Sequence, residues 1–208
     1  MGTNPVGAQP AAPNRAGTTT TAPFGHRRSI RLPYYDYAQG GGYFITICTH
    51  ERRMLFDDTR VASIVSAAWE DLPNHHTNVE PDEFVVMPNH VHGILILRPA
   101  DERAQQAAPL RGIAPAVVPG SLSVVVRSFK ARVTRDIRAT VPSVGDIWQR
   151  NYHEHVIRNE AGLERIRQYI FDNPARWSFD HENPVGSPDQ AEDEFARWLD
   201  KQPLGALQ

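Results

Sequence analysis

The stretch "VVMPNHVHGILIL", residues 85–97, decides the fold. Val85, Val86, Ile94, Leu95, Ile96 and Leu97 are the residue types that fill a buried sheet, and "PNH" between the two apolar runs is turn-prone. The stretch therefore predicts two antiparallel strands, "DEFVVM" and "HVHGILILR", joined in a hairpin. Side chains alternate across a strand, so His90 and His92 share one face and Val91 points to the other, into the core. Two neutral imidazoles on one face can share a divalent cation. They can equally form a polar strand edge, and the pair by itself does not separate the two readings.

Outward from the hairpin, the pattern alternates. "GYFITICT" (42–49) is rich in aromatic and β-branched residues and predicts a strand. Residues 58–72 place Val61, Ile64, Val65, Ala68, Trp69 and Leu72 at helical spacing. Residues 121–139 do the same with Leu122, Val125, Val126, Phe129, Val133 and Ile137. "YHEHVIR" (152–158) alternates like a strand, and 160–173 reads as a helix stopped by Pro174. The order β-α-β-β-α-β-α predicts an α+β, ferredoxin-like split βαβ fold. Its antiparallel sheet would carry helices on one face, leaving the other for ligand, with an additional C-terminal helix.

The flanks differ in composition. Residues 1–26 are poor in large apolar side chains and rich in Pro, Ala, Thr and Gly, and are expected to be disordered. Residues 98–120 read as a long Ala/Pro-rich loop inside a domain spanning 27–178. From 179 to 208 the chain reads as an acidic tail, with a short helix around 191–199. Net charge is −2 over 208 residues, which argues against a simple polycation, and Cys48 is the only cysteine, which excludes an internal disulfide. With no membrane-length apolar run and no signal-peptide pattern, a cytoplasmic setting without membrane association is expected.

A second constellation lies in "RQYIFDNPARW". Tyr169 and Asn173 are four apart, on one helix face. A phenol and an amide oxygen beside a two-histidine site would supply a nucleophile and a third ligand. As ordinary structure, they would be a packing residue and a helix cap. "YHEHVI" offers a competing pair, His153 and His155, but on a strand Glu154 would face away from both. His75 and His76 are adjacent, and read as loop residues.

Basic residues cluster along 121–139, where Arg127, Lys130, Arg132, Arg135 and Arg138 face one acid, Asp136. Such a run is either a solvated face or a phosphate-binding surface. Arg27, Arg28 and Arg31 add a basic stretch at the domain edge. Trp148, Arg150 and Tyr152 offer a stacking platform for unpaired bases, although Trp148 also fits as a core anchor.

"RRSIRLPYYDYAQGGGYFITICTHERRMLF", "VVMPNHVHGILIL", "SFKARVTRDI", "WQRNYHEHVIRNE" and "YIFDNPARW" together resemble the REP-associated tyrosine transposases. These are single-tyrosine, histidine–hydrophobic–histidine (HUH) endonucleases of the IS200-like transposase superfamily. The resemblance runs in matching order over about residues 27–178. It implies a ferredoxin-like fold and cleavage of single-stranded DNA beside a hairpin-forming, REP-like repeat, in a monomer or homodimer. It further implies Tyr169 as nucleophile, and His90, His92 and Asn173 as ligands of a catalytic Mg²⁺ or Mn²⁺. Imidazole ligands suit Mn²⁺ at least as well as Mg²⁺. Two rivals stay open: a domesticated, non-cleaving hairpin DNA- or RNA-binding protein on the same fold, and a two-histidine hydrolase that would need a second histidine motif.

Overall fold

The structure, a computed structural model, describes residues 40–99 and 120–201. The expected N-terminal tail, the basic residues Arg27, Arg28 and Arg31 at the domain edge, and most of the 98–120 loop lie outside the described residues. Within them the elements run β1 (Gly41–Cys48), α1 (Thr59–Glu70), the single turn α2 (Leu72–His75), β2 (Val79–Met87), β3 (His90–Leu97), α3 (Leu122–Thr140), β4 (His153–Ile157), α4 (Glu160–Asp172) and α5 (Gln190–Lys201). A 3₁₀ segment, Asn173–Phe179, continues directly from α4. The four strands form one antiparallel sheet in the order β2-β3-β1-β4, which is the split βαβ arrangement. Among the described residues no helix is long and apolar enough to cross a membrane.

Alternation along the two central strands sets up two faces. Tyr43, Ile45 and Ile47 of β1 and Val91, Leu95 and Leu97 of β3 pack with α1 and α3 in the larger core. All six apolar residues of the α3 stripe are buried there, from Leu122 to Ile137. Gly93 faces this core because the Trp69 ring occupies the space a Cβ would need: a Cβ there would come within 2.5 Å of it. That ring is itself stacked on Phe84 at 4.3 Å, so it has little room to retreat. Side-chain oxygens start two of the helices, Asp58 accepting from the Arg60 amide for α1 and Asn159 from the Gly162 amide for α4.

The opposite face differs from expectation. Rather than standing free for ligand, it is covered by α4 and α5, which bury Phe44, Ile94, Ile166, Ile170 and Phe195 in a second, smaller core. Residues 180–201, set apart above as an acidic tail, are therefore built into the domain, and the boundary at 178 is displaced. The physical reason is a short apolar stripe within the acidic stretch. Phe195, Trp198 and Leu199 recur at helical spacing and dock α5 against the sheet and α4. Arg165 of α4 lies over the Trp198 ring at 4.6 Å, reinforcing the contact.

Candidate active site

Strand register places the histidines. His90 stands opposite Cys48 of β1 and Met87 of β2, and His92 stands opposite Thr46 and Val85. Both project onto the α4/α5 face and are buried, while Val91 enters the larger core. Their Nε2 atoms face each other at 3.0 Å. Each Nδ1 is held by a neighbour, His92 by the Thr46 hydroxyl and His90 by the Asn89 amide oxygen, both at 2.8 Å. An amide oxygen only accepts, so His90 Nδ1 carries the proton and Nε2 presents its lone pair. Burial drives both imidazoles towards the neutral form, His90 well below its ordinary pKa and His92 down to about 3. Asn89, read from sequence only as a turn residue, is fully buried and also donates to the Glu182 carbonyl at 2.7 Å.

A carboxylate oxygen joins the pair. Asp180 Oδ2 lies 3.5 Å from His90 Nε2, and ligand atoms of His90, His92 and Asp180 all fall within 4.8 Å of one another. Asp180 Oδ1 accepts from the Glu182 amide, whereas Oδ2 has no hydrogen-bond partner, and neither does Oδ1 of buried Asn173. Burial lifts the Asp180 carboxyl to about 7, against the pull of the Asn173 amide and the Arg52 charge. Two neutral imidazoles with the unsatisfied Asp180 oxygen beside them form a donor set that fits a divalent cation, with the unpaired Asn173 oxygen next to Asp180 in the same cluster. No sequence signal singled out Asp180, because it lay beyond the expected domain end.

Tyr169 completes the cluster. Its ring meets the His92 ring at 5.4 Å and lies face to face with Phe195 at 3.8 Å. Its hydroxyl donates to Glu192 Oε1 at 3.0 Å. Burial and the adjacent Glu192 carboxylate push the phenol well above its ordinary pKa, so it rests protonated. Burial likewise raises Glu192 to about 7, opposed by the hydrogen bond from Tyr169. Asn173 follows the last residue of α4, one turn beyond Tyr169, as its spacing predicted. His90, His92, Tyr169 and Asn173 thus come together within one chain.

No family model matches the chain. An uncharacterized Haemophilus influenzae protein is 40% identical over 172 residues, covering 74% of this chain and 92% of that one. A second protein of that organism, provisionally named a REP-associated tyrosine transposase, is 26% identical over 154 residues, 69% of this chain and 76% of that one. A solved REP-associated tyrosine transposase, bound to a REP hairpin, superposes with a TM-score of 0.52 at 24% identity, covering 72% of this chain and 74% of that one. The chain thus shares the fold of a REP-associated tyrosine transposase and is similar in sequence to a second protein given that name.

Elsewhere in the chain, the basic residues divide. Arg127, Lys130, Arg135, Arg138, Trp148 and Arg150 line an open groove of about 920 Å³ along α3. Arg132 is not among them; it turns to Asp71 and His75 at α2. Trp148 serves as a packing residue, its ring 5.5 Å from Phe56 and 5.9 Å from Phe129 and its indole N–H donating to the Lys130 carbonyl. Lys130 is tied down as well, donating to the Gln149 carbonyl, and burial lowers it to about 8. Arg127 and Arg150 are exposed. On β4, Glu154 stands opposite Ile45, on the face away from the histidine pair that flanks it, as expected. His153 and His155 therefore gain no carboxylate from it. Among the described residues, the group of three whose ligand atoms could hold a metal ion is His90, His92 and Asp180.

Proposed function

We propose that the chain is a metal-dependent single-stranded DNA endonuclease and strand transferase that acts at hairpin-forming repeats through a covalent phosphotyrosine on Tyr169. The observation that carries this reading is the Tyr169 ring packed against His92, beside the unpaired Asn173 and Asp180 oxygens. His90, His92, Asp180 and Asn173 would hold the Mg²⁺ or Mn²⁺, which supplies polarisation of a phosphoryl oxygen and orientation of the scissile phosphate. In the chain's own part of the chemistry, Tyr169 Oη bonds to phosphorus and the 3′ oxygen leaves. The phosphodiester energy is retained in the tyrosyl ester, so another 3′-OH can reverse the step and join strands.

Hairpin DNA as partner follows the relative solved with a REP hairpin. Arg127, Lys130, Arg135, Arg138 and Arg150 would bind backbone phosphates in the α3 groove, with Trp148 as its wall. Arg27, Arg28 and Arg31 are proposed to extend that contact, and Arg132, engaged with Asp71, is left out of it. The groove runs on the α3 side of the sheet, yet its Gln149 end reaches the histidines' end. The Gln149 amide bonds the carbonyl of Cys48, the residue opposite His90. A stem in the groove can therefore send its single-stranded flank round the sheet end.

The test is incubation with a hairpin-bearing single strand and Mn²⁺, followed by a denaturing gel. A covalent protein–DNA adduct is expected from the wild type and none from Tyr169→Phe. An undiminished adduct with Tyr169→Phe would sink the mechanism. The Phe195 ring stacked over one face of Tyr169 favours the second reading, a hairpin-binding protein that no longer cleaves. Hairpin binding with no adduct, unchanged by His90→Ala, would establish it.

A further inference from the structure

A tyrosine nucleophile must lose its proton as it attacks, and no base was apparent in the sequence. We propose that Glu192 is the general base of this reaction, taking the Tyr169 proton as Oη bonds to phosphorus. The inference rests on the reading of Tyr169 as nucleophile.

Glu192 Oε1 already accepts the Tyr169 hydroxyl at 3.0 Å, the geometry a base requires. The residue is only 4% exposed, an unusual position for a carboxyl beside an apolar cluster of Phe44, Ile166, Ile170 and Phe195. Its backbone is fixed, because the Glu192 amide donates to Asp189 Oδ1 and Asp189 is clasped by Arg176. Glu192 also sits in the first turn of α5, where the positive end of the helix dipole favours an ionised carboxylate. Burial raises the carboxyl to about 7, opposed chiefly by the hydrogen bond from Tyr169 and further by Arg176 and the His181 backbone. A base poised near neutral pH balances availability against proton affinity.

Atoms balance without a further reactant. The Tyr169 O–H bond breaks and its proton passes to Glu192. The Oη–P bond forms, the P–O3′ bond breaks, and the 3′ oxygen takes a proton from solvent. In strand transfer the incoming 3′-OH gives its proton to solvent as its oxygen bonds to phosphorus, the Oη–P bond breaks, and protonated Glu192 returns a proton to the departing phenolate.

The alternative is that Glu192 merely holds the tyrosine back. Glu192→Gln keeps an acceptor for the hydroxyl but cannot take its proton. Adduct formation should be measured under single-turnover conditions with a hairpin-bearing single strand and Mn²⁺, in both backgrounds, with tyrosine or 3,5-difluorotyrosine at 169. The expected result is a roughly 10²–10⁴-fold slower adduct in Glu192→Gln at unchanged hairpin affinity. The more acidic difluorotyrosine should recover more of the rate in Glu192→Gln than it adds in the parent, which a merely structural defect would not produce. A Glu192→Gln adduct as fast as the parent's, or faster, overturns the base assignment, as does equal response of both backgrounds to fluorination. If the wild type forms no adduct, or Tyr169→Phe still forms one, the nucleophile reading itself falls.

Discussion

Replacing Asp180 by asparagine isolates the electrostatics of the histidine site. Folding carries the carboxyl from an ordinary value of 3.8 to about 7 because burial penalises its charge. That rise corresponds to about 4 kcal/mol of destabilisation of the cation-free protein once the group is forced to ionise. Relaxation around the site reduces this, and ~2 kcal/mol is the expected measured value. The sign follows from proton counting. Between the two pKa values the folded state holds a proton the unfolded state has lost, so stability falls as pH rises through that window. The penalty begins above about 4 and is complete above about 7. Asp180→Asn removes the ionisation but keeps an oxygen to accept from the Glu182 amide.

In chelator-treated protein the variant should thus match the wild type at pH 4 and exceed it by ~2 kcal/mol at pH 8. The depressed histidines act oppositely, destabilising the fold as pH falls below 6.5 in both proteins, so the comparison is made at pH 8 against a pH 4 baseline. Added Mn²⁺ should reverse the order. At a concentration about a hundredfold above its Kd, the ion would stabilise the wild type by ~2.7 kcal/mol and the variant far less. Urea denaturation at several pH values, with and without Mn²⁺, measures all of this. A pH-independent difference, or an Asn variant less stable than the wild type at pH 8 without metal, would refute the reasoning.

Asn89→Ala removes the acceptor that fixes the His90 tautomer, and should weaken Mn²⁺ binding by roughly 10–100-fold in calorimetric titration. Unchanged affinity would show that the tautomer is set elsewhere. Gly93→Ala drives a methyl into the Trp69 ring, which is pinned between Phe84 and Phe129, and should destabilise by ~1–3 kcal/mol in urea. In the groove, Arg127→Ala and Arg150→Ala should each weaken hairpin binding and lower the log–log salt slope by about 1. Arg132→Ala, by contrast, should leave the slope alone and loosen the contact between α3 and Asp71. A slope that changes for Arg132 but not for Arg127 and Arg150 would move the DNA surface away from the groove.

The sheet was readable because period-two alternation and a two-residue turn are local signals. "GYFITICT" and "HVHGILILR" hold their pattern without help from distant residues. The same stretches also hold a second signal. Ile94 to Leu97 is a continuous apolar run, the mark of a strand covered on both faces rather than one. Phe44 and Ile94 lie on the histidine side, so that side had to be covered by something. Phe195, Trp198 and Leu199 supply the cover, but three apolar residues among acids are a weak periodic signal over a single short helix. Read together, the two observations would have placed α5 on the sheet.

The site divides along the same line. His90 with His92, and Tyr169 with Asn173, are pairs whose spacing alone puts them on one face of one element, so geometry could be argued from the chain itself. Asp180 and Glu192 have no such neighbour relation to the residues they serve. An acid in a segment rich in acids is ordinarily solvated, and its function here comes only from losing that solvent. Asp180 is buried by the turn after the Asn173–Phe179 segment, and Glu192 by the docking of Phe195 one turn later on α5. Each carboxyl then stands against a working group, one beside the His90 imidazole and the other at the Tyr169 hydroxyl. Their raised pKa values are therefore a tertiary property, and the apolar stripe that creates it was the only trace available in the sequence.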